Sequence, residues 1–162
     1  MEQVGVIAWT DIAIAAAATF TAGILLVAVV FAWREVHCIE RAREAQLLAD
    51  VSRRWDEELL RESRQAVEEY EDGTKLRQAL EDLKKKNDKQ YYVLLRLPDF
   101  FEELGLLVNK KCLHPQLAKD MFGTAIKYYY DRYKLTIKYL QEKYQDQTIY
   151  KFFSDLVTQV SD

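Results

Sequence analysis

Residues 12–33 read IAIAAAATFTAGILLVAVVFAW, a run with no charge and no proline, broken only by Thr19, Thr21 and Gly23. At ~1.5 Å of rise per residue a helix of this length reaches about 33 Å. That covers a hydrocarbon core of about 30 Å with slight tilt. A buried helix of a soluble protein would keep a polar stripe, and here no face carries one. Trp9 and Trp33 bracket the run as interfacial aromatics do. The run reads as a membrane-spanning helix.

Its flanks set an orientation. Glu2, Asp11 and the amino group precede the span, whereas Arg34, Arg41 and Arg43 follow it at once. Positive charge marks the cytoplasmic side, and the interleaved Glu35, Glu40 and Glu44 count little in that rule. The expectation is an extracytoplasmic N-terminus (1–11), a span (12–33) and a cytosolic remainder. A cleaved signal peptide fits poorly: there is no basic leader, the apolar run is too long, and no small-x-small site follows.

The cytosolic part reads as all-α. Five glycines and two prolines in 162 residues leave few turns. Residues 34–70 contain neither and are rich in Glu, Arg, Ala and Leu, which predicts a juxtamembrane helix continuing from the span to Gly73 at its C′ position. Asp50–Arg54, Glu57–Arg61 and Arg64–Glu68 are spaced as i,i+4 pairs. The remainder, 74–162, predicts a small bundle. Its helices are Lys75 to Asp88, then Tyr91 to Val108 with Pro98 kinking the helix or restarting it after Leu97, a long helix capped by His114 and started by Pro115, and a last one after Asp146.

Little chemistry is on offer. The net charge is −3, residues 34–108 being acidic and 109–162 mildly basic, and Cys38 and Cys112 form no Cys-x-x-Cys pair. His37 and His114 are the only histidines; His37 with Glu40 is one weak pair, and His114 reads as a cap. Neither Gly105 nor Gly123 belongs to a phosphate loop, and no Ser-His-Asp or Cys-His arrangement is present. The expectation is no enzyme, no cofactor and no metal. Glu102 and Glu103 read as solubilising. A basic face on the long helix, Lys127, Lys134 and Lys138 with Tyr128 and Tyr130, could track a phosphate backbone. Asp120 and Asp131 interrupt it, so nucleic acid is disfavoured.

The span carries the sharper feature. Ala15, Thr19 and Gly23, with Ala22 beside them, form a small-xxx-small series that lets helices approach closely. Self-association follows, and in a ring Thr19 would face the axis with Asp11 at an acidic mouth. Expected partners are the bilayer, copies of the chain and a cytosolic protein.

Two stretches carry a resemblance. SRRWDEELLRESRQAVEEY (52–70) and LPDFFEELGLLVNKKCLHPQLAKDMFGTAIKYYYDRYKLTIKYL (97–140) resemble an uncharacterised bacterial family of small single-pass proteins with a helical cytosolic domain, FFEELGLLV being the most specific part. That likeness implies the bacterial inner membrane and lends no activity. In layout the chain is also similar to the membrane accessory protein of type VI CRISPR systems, which joins one anchor to a HEPN-like domain, forms a ring with a pore and augments antiphage defence. HEPN ribonucleases place His four to six residues after Arg. No such pair occurs here, so the resemblance implies assembly without ribonuclease activity. A monomeric or dimeric anchored adaptor is the alternative.

Overall fold

The computed structural model describes the backbone of residues 3–161 and the side chains of Trp9 and residues 12–160. Six helices follow in order: α1 (Gln3–Asp56), α2 (Glu58–Glu68), α3 (Gly73–Lys86), α4 (Lys89–Asn109), α5 (Pro115–Tyr144) and α6 (Lys151–Ser161). Among the described residues there is no strand, and the all-α expectation holds. Contacts divide the chain into two compact units, Met1–Arg43 and Glu44–Asp162. In the first, every described side chain from Ile12 to Arg43 is exposed, and one helix is long and apolar enough to cross a membrane.

The second unit is a helical bundle. Its helices α2, α3 and α6 have only 11, 14 and 11 residues, too short to persist alone in water. Packing must hold them, and α4 supplies it: α4 packs on α2 and α6, and α5 packs on α3 and α6. Leu94, Leu97, Phe101 and Leu104 of α4 are almost wholly buried, as are Ile126 and Tyr133 of α5 and Phe153 and Leu156 of α6. Each such side chain removed from water contributes about 1.5–3 kcal/mol before entropy is counted.

The helix expected to run unbroken to Tyr70 instead stops at Asp56, with Glu57 extended before α2 begins. The break sends Trp55 into an aromatic cluster, 5.3 Å from Phe100, 5.7 Å from Phe101 and 5.7 Å from Phe122 by ring centres. It frees the last carbonyls of α1, and two guanidiniums of α2 take them up. Arg64 donates to the Trp55 carbonyl at 2.5 Å and stacks over its indole, and Arg61 donates to the Asp56 carbonyl at 3.1 Å. The expected intrahelical pairs are therefore replaced: Arg54 binds Glu103, and Glu68 meets Arg132.

Gly73 also differs from expectation. It opens α3 instead of closing the previous helix, and Asp72 is the cap, accepting from the amides of Thr74 and Lys75 at 2.8 and 2.9 Å. Glycine is required there by proximity: a Cβ would lie 2.7 Å from the Arg132 carbonyl oxygen of α5. Gly105 is tighter still, its Cβ position falling 2.2 Å from the Phe152 carbonyl oxygen. This glycine lets α4 and α6 touch backbone to backbone, and Phe101 stacks on Phe153 at 4.9 Å beside it.

Pro98 sits inside α4 without ending it. Proline lacks the amide that would bond the carbonyl four residues earlier, that of Leu94. The Tyr133 hydroxyl, buried, donates to that carbonyl at 2.5 Å. The helix continues because α5 supplies the missing donor. At the start of α5 the sequence reading holds: His114 Nδ1 accepts from the Gln116 amide at 3.2 Å, and Pro115 follows as the first helical residue. Asp146, in contrast, caps a turn through Thr148, and α6 starts only at Lys151, after Tyr150 in a left-handed conformation.

Candidate functional site

The small residues of the apolar run share one side of α1, at i, i+4, i+7 and i+8, and all of them, Ala15, Thr19, Ala22 and Gly23, are exposed. Nothing lies within 4 Å of a Cβ placed on Gly23. The two hydroxyls are satisfied by their own helix: Thr19 donates to the Ala15 carbonyl at 2.5 Å and Thr21 to that of Ala17 at 2.8 Å. Such bonds leave a smooth apolar side without an unpaired donor. The side chain of Asp11 lies outside the described residues.

The basic face of α5 is largely neutralised in place. Lys134 pairs with Asp131 at 2.7 Å and Lys138 meets Glu142 at 3.9 Å; Lys127 is exposed. The rings needed for stacking are engaged as well. The Tyr128 hydroxyl donates to Glu68 at 2.7 Å, and Tyr130 packs edge-on against Phe153 at 5.4 Å. This geometry gives a solvated helix face more readily than a nucleic-acid track.

The histidines are accounted for locally. His37 Nδ1 lies 3.2 Å from Glu40, both side chains exposed, with Trp33 against the imidazole at 4.5 Å. Among the described residues no three of His, Cys, Asp and Glu converge as metal ligands. Glu102 and Glu103, expected only to solubilise, have structural work. The Glu102 carboxylate accepts the amides of Phe152 and Phe153 at 3.2 and 2.7 Å, capping α6 from a neighbouring helix.

One concave feature went unread in the sequence. A cleft of about 190 Å³ opens between α3, α4 and α5, floored by Leu80, Leu95 and Leu140 and rimmed by Arg77, Glu81, Lys84, Lys85, Tyr91, Tyr139 and Lys143. Lys84 Nζ donates to the Tyr144 hydroxyl at 2.5 Å and lies 5.7 and 5.1 Å from the ring centres of Tyr91 and Tyr144. Lys143 donates to the Tyr139 hydroxyl at 2.9 Å, and Arg77 lies 5.4 Å from the centre of that ring and 3.7 Å from Glu81. The hydrogen bond to Tyr144 holds Lys84 above the ordinary lysine range, and the bond to Tyr139 does the same for Lys143. Both are cationic at neutral pH. Thr136 stands in the wall, 4% exposed, with no hydrogen-bond partner for its buried hydroxyl. The Lys84-Lys85-Lys86 run reads in sequence as helix-end charge; what draws Lys84 aside is Tyr144, sixty residues on.

Compared with known proteins, residues 13–160 match a family model described as a domain of unknown function (DUF4760). No curated protein and no solved structure matches the chain.

Proposed function

We propose, for a chain that belongs to the DUF4760 family, a single-pass membrane protein that acts by assembly and recognition. Residues 12–33 span the inner membrane of a bacterium with the N-terminus outside, copies associate through the Ala15, Thr19, Ala22 and Gly23 side, and the cytosolic bundle serves as the assembly or sensor module. The observation that carries this reading is the uniformly exposed apolar helix whose side chains have no protein cover. The family match supports it, because it begins at residue 13, inside that helix, and runs on through the bundle to 160.

The helix offers little chemistry for conduction. Thr19 and Thr21 are the only hydroxyl-bearing residues of the span, and both bond their own backbone. A ring built on this helix would present a mostly apolar axis. The likeness in layout to the type VI CRISPR accessory protein gains no support from the family match, which names no activity.

Exposed Cys38 and Cys112 give a direct test of topology. In intact spheroplasts a membrane-impermeant maleimide should leave both unlabelled and should label them after permeabilisation. Labelling of Cys112 in intact cells would reverse the orientation. For association, light scattering in detergent should show one species larger than a monomer, and Gly23→Leu should shift it toward the monomer. A wild-type monomer would leave an anchored adaptor as the reading, and a freely soluble chain would remove the anchor altogether.

A further inference from the structure

We propose that the cleft between α3, α4 and α5 binds a small anionic amphiphile, its phosphate held by Lys84 and Lys143 and a short apolar tail laid on Leu80, Leu95 and Leu140. Charge is the first argument. Of the four cations at the rim, Arg77 is partnered by Glu81 at 3.7 Å and Lys85 by Asp82 at 3.6 Å. Lys84 and Lys143 meet only tyrosine hydroxyls and rings. Neither forms an ion pair with a carboxylate among the described residues. Both line the same cleft, where an anion would supply the counter-charge that each lacks, and lysine serves phosphate as a point charge where no arginine fork is free.

Shape is the second argument. The floor is aliphatic, and the faces of Tyr91 and Tyr139 already carry cations, so the body of the ligand is an alkyl chain in preference to a stacked base. The cleft, about 190 Å³ and open to solvent, gives a short alkyl chain an aliphatic floor to lie on.

The test is titration calorimetry on the full chain in phosphatidylcholine nanodiscs, with hexyl phosphate as probe and hexanol and inorganic phosphate as its two halves. Saturable one-to-one binding of hexyl phosphate is expected, at least tenfold tighter than either half and weakened by added salt. The double variant Lys84→Met with Lys143→Met should lose at least tenfold. Lys143→Met alone changes a solvent-facing side chain and keeps the fold; it should lose about threefold. Equal binding of hexanol, or undiminished binding by either variant, overturns the proposal. So does complete suppression by phosphatidic acid doped into the nanodiscs, which would make the anion a bilayer headgroup instead of a free ligand. None of these outcomes bears on the topology or the association of the span.

Discussion

Two apolar stretches of similar length, residues 12–33 and residues 91–108, meet opposite environments. Along the first every side chain is exposed. Along the second Leu94, Leu97, Phe101 and Leu104 are almost entirely buried by other helices. Hydrophobicity alone does not separate them; the charges do. YYVLLRLPDFFEELGLLV carries Arg96, Asp99, Glu102 and Glu103, and each binds another element: Glu62 of α2 at 3.1 Å, the Tyr150 hydroxyl at 2.7 Å, the α6 amides, and Arg54 of α1 at 2.5 Å. Residues 12–33 carry no charge, and the hydrogen bonds of Thr19 and Thr21 stay within their own helix. An apolar helix that must recognise protein needs polar groups at its edges to fix its neighbours, whereas one that faces hydrocarbon is better without them.

The largest expected effect comes from making the same truncation in both stretches. Phe101 stacks on Phe153 and borders Trp55, Phe100 and Tyr129. Phe101→Ala should cost about 3–5 kcal/mol of bundle stability. Phe31, 67% exposed, should cost the bundle less than about 0.5 kcal/mol when changed to Ala. Urea midpoints of the full chain in detergent, followed by near-ultraviolet circular dichroism of the aromatic core, measure both. Comparable losses would mean that the span is covered by the bundle, and the contrast between the two stretches would fail.

Next in size is the link between Pro98 and Tyr133. Burial pushes the Tyr133 phenol well above its ordinary range, so it remains a donor wherever the bundle is folded. Tyr133→Phe leaves the buried Leu94 carbonyl unpaired, at a cost of about 1–3 kcal/mol. In a Pro98→Ala background the restored amide serves that carbonyl, and the same change should cost less than about 1 kcal/mol. If the two losses simply add, the tyrosine is not standing in for the missing amide.

What could be read in the sequence divides along the same line. The long apolar helix, the all-α class and the His114-Pro115 helix start are local: composition, period and one cap residue specify them. The break at Glu57 was hidden because the residues around it are good helix formers. It follows from burying Trp55 and from Arg61 and Arg64 reaching back to free carbonyls, which only the tertiary contacts reveal. That α4 continues through Pro98 was hidden for the same reason, the donor to Leu94 coming from another helix. Of the candidate sites, the small-residue side of the span was visible as spacing. The cleft was not, because Lys84 and Lys143 lie on separate helices and become a pair only when α3 packs on α5.

The smallest effect sharpens the role of charge in 91–108. Glu102 is half-buried, and desolvation, only partly offset by the Phe152 and Phe153 amides, pushes its carboxyl above the ordinary value of 4.5. A carboxyl with a raised folded-state value binds its proton more tightly when native. Its stabilising contribution is therefore complete below 4.5 and is lost as pH rises through the raised value. Glu102→Gln keeps an acceptor for the two amides and abolishes the titration, so at pH 7 it should lie within about 0.5 kcal/mol of the parent, whereas Glu102→Ala, which strips the cap, should lose about 1 kcal/mol. Between pH 4 and pH 7 the parent should lose stability relative to Glu102→Gln, because only the parent acquires a partly desolvated charge. Asp99 titrates in the same direction, and its charge adds to the rise at Glu102, so the difference in urea midpoints reports residue 102 together with its coupling to Asp99. Parallel pH curves would show that the cap carries no desolvation cost, and that the charges edging this stretch serve recognition without burdening it.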